Sequence, residues 1–144
     1  MTHRRFDPAR LDPDTIEWGD APADRAVVVA LVGRPDAAGE RYVFAIRTPP
    51  GFRDPPHAHV TEARFTVLQG AMYLGFGPTE DPALARTLGP GQAVVIPAGL
   101  AHFNGTDGDG PAIIVCTTTG PWMTHFPRSG APRERSQADP GPTG

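Results

Sequence analysis

The sequence has few of the features that mark covalent cross-links or membrane segments. Its 144 residues contain one cysteine, Cys116, which excludes an internal disulfide and a zinc site built on cysteine pairs. No stretch approaches roughly eighteen uninterrupted apolar residues, and the N-terminal residues lack the apolar core of a secretory signal. These absences predict a cytoplasmic protein without a membrane partner, in which histidine and carboxylate side chains would have to hold any metal.

The chain also has no strong excess of charge and little material for long helices. Thirteen Lys and Arg residues against sixteen Asp and Glu residues give a net charge of −3, and the basic residues are scattered. This distribution argues against a nucleic-acid partner. Seventeen glycines and eighteen prolines interrupt the chain too often for long helices, while 39% hydrophobic residues suffice for one compact core.

What is present is a series of short apolar runs separated by turn residues. The runs are of strand length and rich in β-branched or aromatic residues, which predicts an all-β antiparallel sandwich or barrel. They cover residues 26–32, 41–47, 63–70, 71–77, 92–99 and 112–120, whereas 81–88 could hold one helical turn. The polar ends divide the chain into an N-terminal arm (1–15), a barrel domain (16–127) and a disordered C-terminal tail (128–144).

Three histidines form the candidate chemical site. His57 and His59 are two residues apart, so on an extended strand both imidazoles point to the same face and can chelate one metal ion. The segment GQAVVIPAGLAHFN places His102 after a Pro-x-Gly turn, where an antiparallel barrel could bring it beside the first two. His3 and His125 are interpreted as surface residues, with His125 beyond the last strand and able to cover the barrel mouth.

The segments GFRDPPHAHVTEARFTVLQG and GQAVVIPAGLAHFN resemble the two sequence motifs of the cupins, which are small β-barrel metalloproteins. The resemblance covers residues 16–127 and implies a jelly-roll barrel with His57, His59 and His102 at three of four metal-ligand positions. Cupins usually carry the fourth ligand, a glutamate, at the position that is Ala63 here, and Glu62 stands one place earlier. Because a one-residue slip reverses the face on a strand, we expect Glu62 to point away from the histidines.

A site of three neutral imidazoles leaves a divalent ion with its full charge and with open coordination positions, which favours an anionic, chelating small-molecule substrate. The resemblance to three-histidine cupin dioxygenases implies Fe(II) and a dioxygenase-like activity, with Zn, Ni or Mn as other possible ions. A metal-dependent isomerase, lyase or cyclase is the alternative enzyme. A non-catalytic small-molecule binding protein is the alternative from another class. A homodimer is expected, because small cupins commonly pair through a sheet edge.

Six further residues are candidates for the substrate pocket. Packing in the core explains the apolar candidates equally well, and exposure at the rim is an alternative for the glutamine. The arginine could orient a substrate carboxylate or lie at the end of the barrel. The asparagine could support a metal ligand or simply belong to a turn. The candidates are Arg47, Phe65, Val67, Gln69, Tyr73 and Asn104.

Overall fold

The computed structural model describes residues 12–126 and the backbone of Arg133–Ser136. The described residues form strands joined by turns, with two short 3-10 turns at Pro13–Thr15 and Pro82–Leu84. The second turn lies inside the segment for which one helical turn was predicted, and it begins with a proline, as the fixed φ of that residue favours. No helix in this described part of the chain is long and apolar enough to cross a membrane.

Eleven strands in the described residues form two antiparallel sheets, which confirms the predicted all-β jelly-roll class. A five-stranded sheet has the order β1-β2-β9-β4-β7, and a six-stranded sheet has the order β11-β10-β3-β8-β5-β6. The strands are β1 Val27–Val32, β2 Arg41–Thr48, β3 Arg53–His59, β4 Ala63–Gln69, β5 Ala71–Phe76, β6 Arg86–Leu88, β7 Ala93–Ile96, β8 His102–Asp107, β9 Ala112–Thr119, β10 Met123–Phe126 and β11 Arg133–Ser136.

The core between the sheets follows from strict alternation along the strands. On β4, Ala63, Phe65 and Val67 are buried while the residues between them are exposed or half-buried, as the two-residue period of a strand requires. Tyr42 and Phe44 on β2 are buried in the same cluster. The histidines contact the apolar interior through this cluster.

A second apolar cluster covers the outer face of the five-stranded sheet. Ile16 and Trp18, which follow the predicted N-terminal arm, pack there against Ala45 and Val115. The five-stranded sheet is therefore apolar on both faces, and β2 carries apolar residues on each. The core cluster and this outer cluster together account for why the runs 41–47 and 112–120 are nearly continuous in apolar residues.

Gly70 makes the corner at which the chain leaves one sheet for the other. It stands between β4 and β5 with a φ of +75°, a conformation that glycine adopts without strain. A Cβ at this position would also overlap the backbone carbonyl of Pro111. The glycine that ends the first motif is thus required by backbone geometry and by close packing.

The sequence analysis placed His125 beyond the last strand, and this placement is wrong. His125 is half-buried on β10, where it pairs with Ala58 of β3. The arm (1–15) and the tail (128–144) remain predictions, because most of both segments, including His3, lies outside the described residues. Arg133–Ser136 of the tail is described as β11, whose backbone pairs with β10.

Candidate metal centre

The three predicted histidines come together on adjacent strands of the six-stranded sheet. His57 and His59 lie on β3, and His57 pairs directly with His102 on β8. One ligand atom from each of the three residues lies within 4.8 Å of the other two. The rings are also in mutual contact, with centroids 4.3 to 5.0 Å apart. The strand pair therefore brings together side chains that are 43 residues apart in the sequence.

Hydrogen bonds orient each ring so that Nε2 is directed into the cluster. His57 Nδ1 lies 2.6 Å from the carbonyl oxygen of Pro55, and His102 Nδ1 lies 3.0 Å from that of Leu100. Because a carbonyl only accepts, both Nδ1 atoms carry a proton, which makes Nε2 the ligand atom of each ring in its neutral form. His59 Nδ1 is held by the Thr124 hydroxyl at 3.2 Å. Such contacts to the other ring nitrogen are typical of metal-ligating histidines.

The donor set fits a single divalent ion. The Nε2 atoms of His59 and His102 are 3.1 Å apart, which is below the limit of about 4.2 Å for two nitrogens that each bind one ion at about 2.1 Å. The histidines are nearly inaccessible, at 2%, 5% and 1% exposure for His57, His59 and His102. Three buried imidazoles with converging nitrogens are suited to hold Zn, Fe, Ni or Cu ions.

Burial also keeps His102 in the form that binds metal. Removal from water, with a smaller contribution from the neighbouring His57, lowers the pKa of His102 to about 4, against the opposing effect of its hydrogen bond to the Leu100 carbonyl. His102 is therefore neutral at physiological pH. A neutral imidazole is the ligand state, so no proton has to be displaced from this residue when an ion binds.

Aromatic rings enclose the histidines on the side of the core. The Trp122 indole stacks on His59 with centroids 4.1 Å apart, and the Phe126 ring lies 5.1 Å from His57. Phe65 lies 6.1 Å from His59 and 6.3 Å from Trp122. Trp122, Thr124 and Phe126 were not predicted as site residues. Their alternation along one strand segment next to β3 is the signal that could have identified them.

Glu62 is exposed and outside the histidine cluster, as expected from the one-residue slip. Ala63, at the position where cupins usually have the glutamate, is 1% exposed and points into the core. A carboxylate nevertheless lies at the site. Asp54 Oδ2 is 3.8 Å from His57 Nε2, and the Asp54 side chain is only 12% exposed.

Two of the pocket candidates lie on the inner face near the histidines. Phe65 borders His59 as described, and Asn104 is half-buried on the same face of β8 as His102. Asn104 pairs with Asp54 on one side and with Leu74 on the other. Val67 is buried in the core cluster farther along β4, on the same face as Phe65.

The other three candidates are not brought to the histidines. Arg47 faces the outer cluster, where its guanidinium lies 5.0 Å from the Trp18 ring centroid and bonds the Ala21 carbonyl. Tyr73 faces outward, against Phe103 and under the Arg53 guanidinium. These positions argue against both residues as contacts of a substrate bound at the histidines.

Gln69 is displaced by a bulge in β4. Val67 pairs with Ile114, but Gln69, two residues on, pairs with the adjacent Ile113, so Leu68 is an extra residue. Ile113 belongs to the outer cluster, and Gln69 is exposed beside it. Regular alternation would put Gln69 on the same face as Phe65, but the inserted residue reverses the face of the residues that follow it.

Comparison with known proteins gives the family. A family model described as a cupin domain matches residues 44–118, which include all three histidines. The chain therefore belongs to the cupin family, as its two motifs indicated.

Curated relatives match over a shorter region. Germin-like protein 1-1 from Oryza sativa subsp. japonica is 40% identical over 68 residues, which are 46% of this chain and 31% of the relative. The rhicadhesin receptor of Pisum sativum is likewise 40% identical over 68 residues, with the same coverage. The match thus spans about a third of the length of these relatives.

Solved structures share the fold over most of the chain. A cupin-like protein from Thermotoga maritima has a TM-score of 0.61 at 22% identity, covering 74% of this chain and 80% of its own. KdgF from Halomonas sp. has a TM-score of 0.56 at 21% identity, covering 75% and 92%. The DMSP lyase DddQ from Ruegeria pomeroyi has a TM-score of 0.55 at 26% identity, covering 77% and 55%.

Proposed function

We propose that this protein is a mononuclear metal-dependent cupin enzyme acting on a small chelating organic substrate, with a dioxygenase-like activity on Fe(II) as the first candidate. The observation that carries the proposal is the convergence of three buried imidazoles whose Nδ1 atoms are all engaged elsewhere. Burying three polar rings this close together costs stability unless their nitrogens are well partnered, and one bound ion would partner all three Nε2 atoms at once.

In this proposal, one set of residues binds the metal ion and another set keeps water away from it. His57, His59 and His102 hold the ion, and the Pro55 and Leu100 carbonyls fix two of the rings. Trp122 and Phe126 keep water from the ligand nitrogens, which strengthens electrostatic interactions at the site. When bound, the ion supplies a Lewis acid that lowers the pKa of a chelating substrate and, if it is iron, a centre for redox chemistry with O₂.

A non-redox lyase is the second candidate, and a specific similarity favours it. The DMSP lyase DddQ shares the fold at 26% identity, and a Lewis-acidic Zn or Ni ion on three histidines would polarise a carbonyl or carboxylate without O₂. The choice of Fe(II) over Zn, Ni or Mn, the cytoplasmic location and the homodimer are further parts of the proposal, the last testable by light scattering.

The test is metal analysis of the protein purified without added metal or chelator, together with the variants His57→Ala and His102→Ala. His125→Ala is the matched control, since His125 lies on neighbouring β10 outside the cluster. Circular dichroism checks that each variant folds. We expect about one equivalent of metal in wild type and in the control, and none in the two cluster variants.

Reaction type follows from O₂ uptake after Fe(II) loading, screened with chelating acids, diketones and phenols. Substrate-dependent uptake supports the dioxygenase, whereas turnover of a carboxylate or carbonyl substrate without uptake supports the lyase. Wild-type protein that takes up no metal even after loading overturns both enzyme proposals and leaves a protein that binds a small molecule without catalysis.

A further inference from the structure

Asp54 lies where a regular strand would not place it. It stands three residues before His57, a spacing that puts two side chains on opposite faces of a regular strand. The register between β3 and β8 changes between the two residues, since Asp54 pairs with Asn104 and His57 pairs with His102. The extra residue falls at Pro55 and Pro56, where the missing N–H groups suit a bulge. Asp54 and His57 therefore share the inner face.

The distance from the carboxylate to His57 allows one ion to contact these two residues. Asp54 Oδ2 is 3.8 Å from His57 Nε2, which is within the limit of about 4.2 Å for two ligand atoms at about 2.1 Å from the same ion. The His57 atom involved is Nε2, the atom directed into the cluster, because Nδ1 donates to Pro55. Asp54 thus approaches Nε2, the nitrogen of His57 that would bind the metal, and it is not a hydrogen-bond partner of Nδ1.

Charge favours a cation at this point. Metal binding uses the lone pair of His57 Nε2, since Nδ1 donates to Pro55, and this lone pair and the Asp54 carboxylate face the same space, where both would attract a cation. The Asp54 side chain is 12% exposed and that of His57 is 3% exposed, so bulk water screens the contact poorly.

We infer that Asp54, on β3, is the fourth ligand of the metal centre and supplies its carboxylate. It takes the place of the glutamate that is absent from β4, where Ala63 stands. The inference rests on the metal site of the proposed function. It changes the chemistry expected of that site, because one carboxylate lowers the net charge of the bound centre from +2 to +1. A singly charged chelating substrate then neutralises the centre, whereas three histidines alone would favour a doubly charged one.

The test compares the variants Asp54→Asn and Asp54→Ala with Asp107→Asn. Asp107 is the matched control because its carboxylate, on β8, bonds the Thr87 hydroxyl and not a histidine, while its replacement removes the same charge. Affinity for Co(II) and Zn(II) is measured by competition with a chromophoric chelator. The visible absorption of Co(II) bound at saturation is recorded for each protein.

We expect both Asp54 variants to bind Co(II) at least about tenfold more weakly than wild type, with the control within about twofold. At saturation, the Co(II) absorption of the Asp54 variants should shift in position and intensity, since one oxygen ligand has been lost. Unchanged affinity, or reduced affinity with an unchanged spectrum at saturation, overturns the ligand assignment. Wild-type protein that binds no metal contradicts the proposed function itself, so the two failures are distinguishable.

Discussion

Replacing Thr124 by valine should weaken metal binding without removing a ligand. Thr124 is 2% exposed on β10, and its hydroxyl lies 3.2 Å from Nδ1 of His59. Valine keeps the shape of the side chain but cannot hold this nitrogen. The His59 ring would then lose a contact that sets its tautomer and its rotation, and both must be correct for Nε2 to face the ion.

The length of this hydrogen bond sets the expected size of the effect. Removing the hydrogen-bond partner of a metal-ligating histidine typically lowers metal affinity by roughly 10-fold to 100-fold. The 3.2 Å separation is at the long end of the hydrogen-bond range, and the Trp122 ring stacked on His59 also restrains the imidazole. We therefore expect the lower end, about tenfold, which corresponds to about 1.4 kcal/mol.

The assay is a competition titration with a chromophoric chelator, with Thr124→Ser and Thr118→Val as controls. The serine variant retains the hydroxyl and should bind metal nearly as wild type does. Thr118 is also a buried threonine, but its hydroxyl contacts Thr61 and the Glu62 carbonyl. Equal affinity of Thr124→Val and wild type would refute the reasoning, as would an equal loss in the Thr118 variant.

Three further predictions concern stability and the thiol. Burial, with a smaller effect of Cys116, raises the pKa of Tyr42 from 10.0 to about 12. The free energy of unfolding should therefore fall by about 2 to 3 kcal/mol between pH 10 and pH 12, because the tyrosine ionises more readily in the unfolded chain. Urea titrations should show a smaller fall in the variant Tyr42→Phe. Burial also raises the pKa of the Cys116 thiol, so a disulfide reagent should label this residue only after the protein is denatured. Labelling of the native protein as fast as that of an exposed thiol would contradict this prediction. A Cβ at Gly75 would overlap the buried ring of Phe103, so Gly75→Ala should lower the free energy of unfolding by about 1 to 3 kcal/mol, measured against Gly110→Ala, whose Cβ meets open space.

The strands of the five-stranded sheet and the shared face of His57 and His59 could be predicted because they depend on local rules. Alternation placed Ala63, Phe65 and Val67 on one buried face, and the same two-residue period put His57 and His59 together. The displacement of Glu62 from the site also follows from that period, and the structure has this residue exposed. Where the backbone is a regular strand, sequence spacing is enough to assign a face.

Bulges and two-sided burial are what the spacing could not reveal. One extra residue at Pro55–Pro56 brings Asp54 to the face of His57, and another at Leu68 takes Gln69 away from the core. Arg47 was a pocket candidate because it stands in an otherwise apolar run, but both faces of β2 are covered by apolar clusters. The sequence by itself determined the strands of the five-stranded sheet, strand β5 and the candidate set of three imidazoles. Tertiary structure decided which carboxylate meets them, because register depends on how neighbouring strands pair and not on the strand alone.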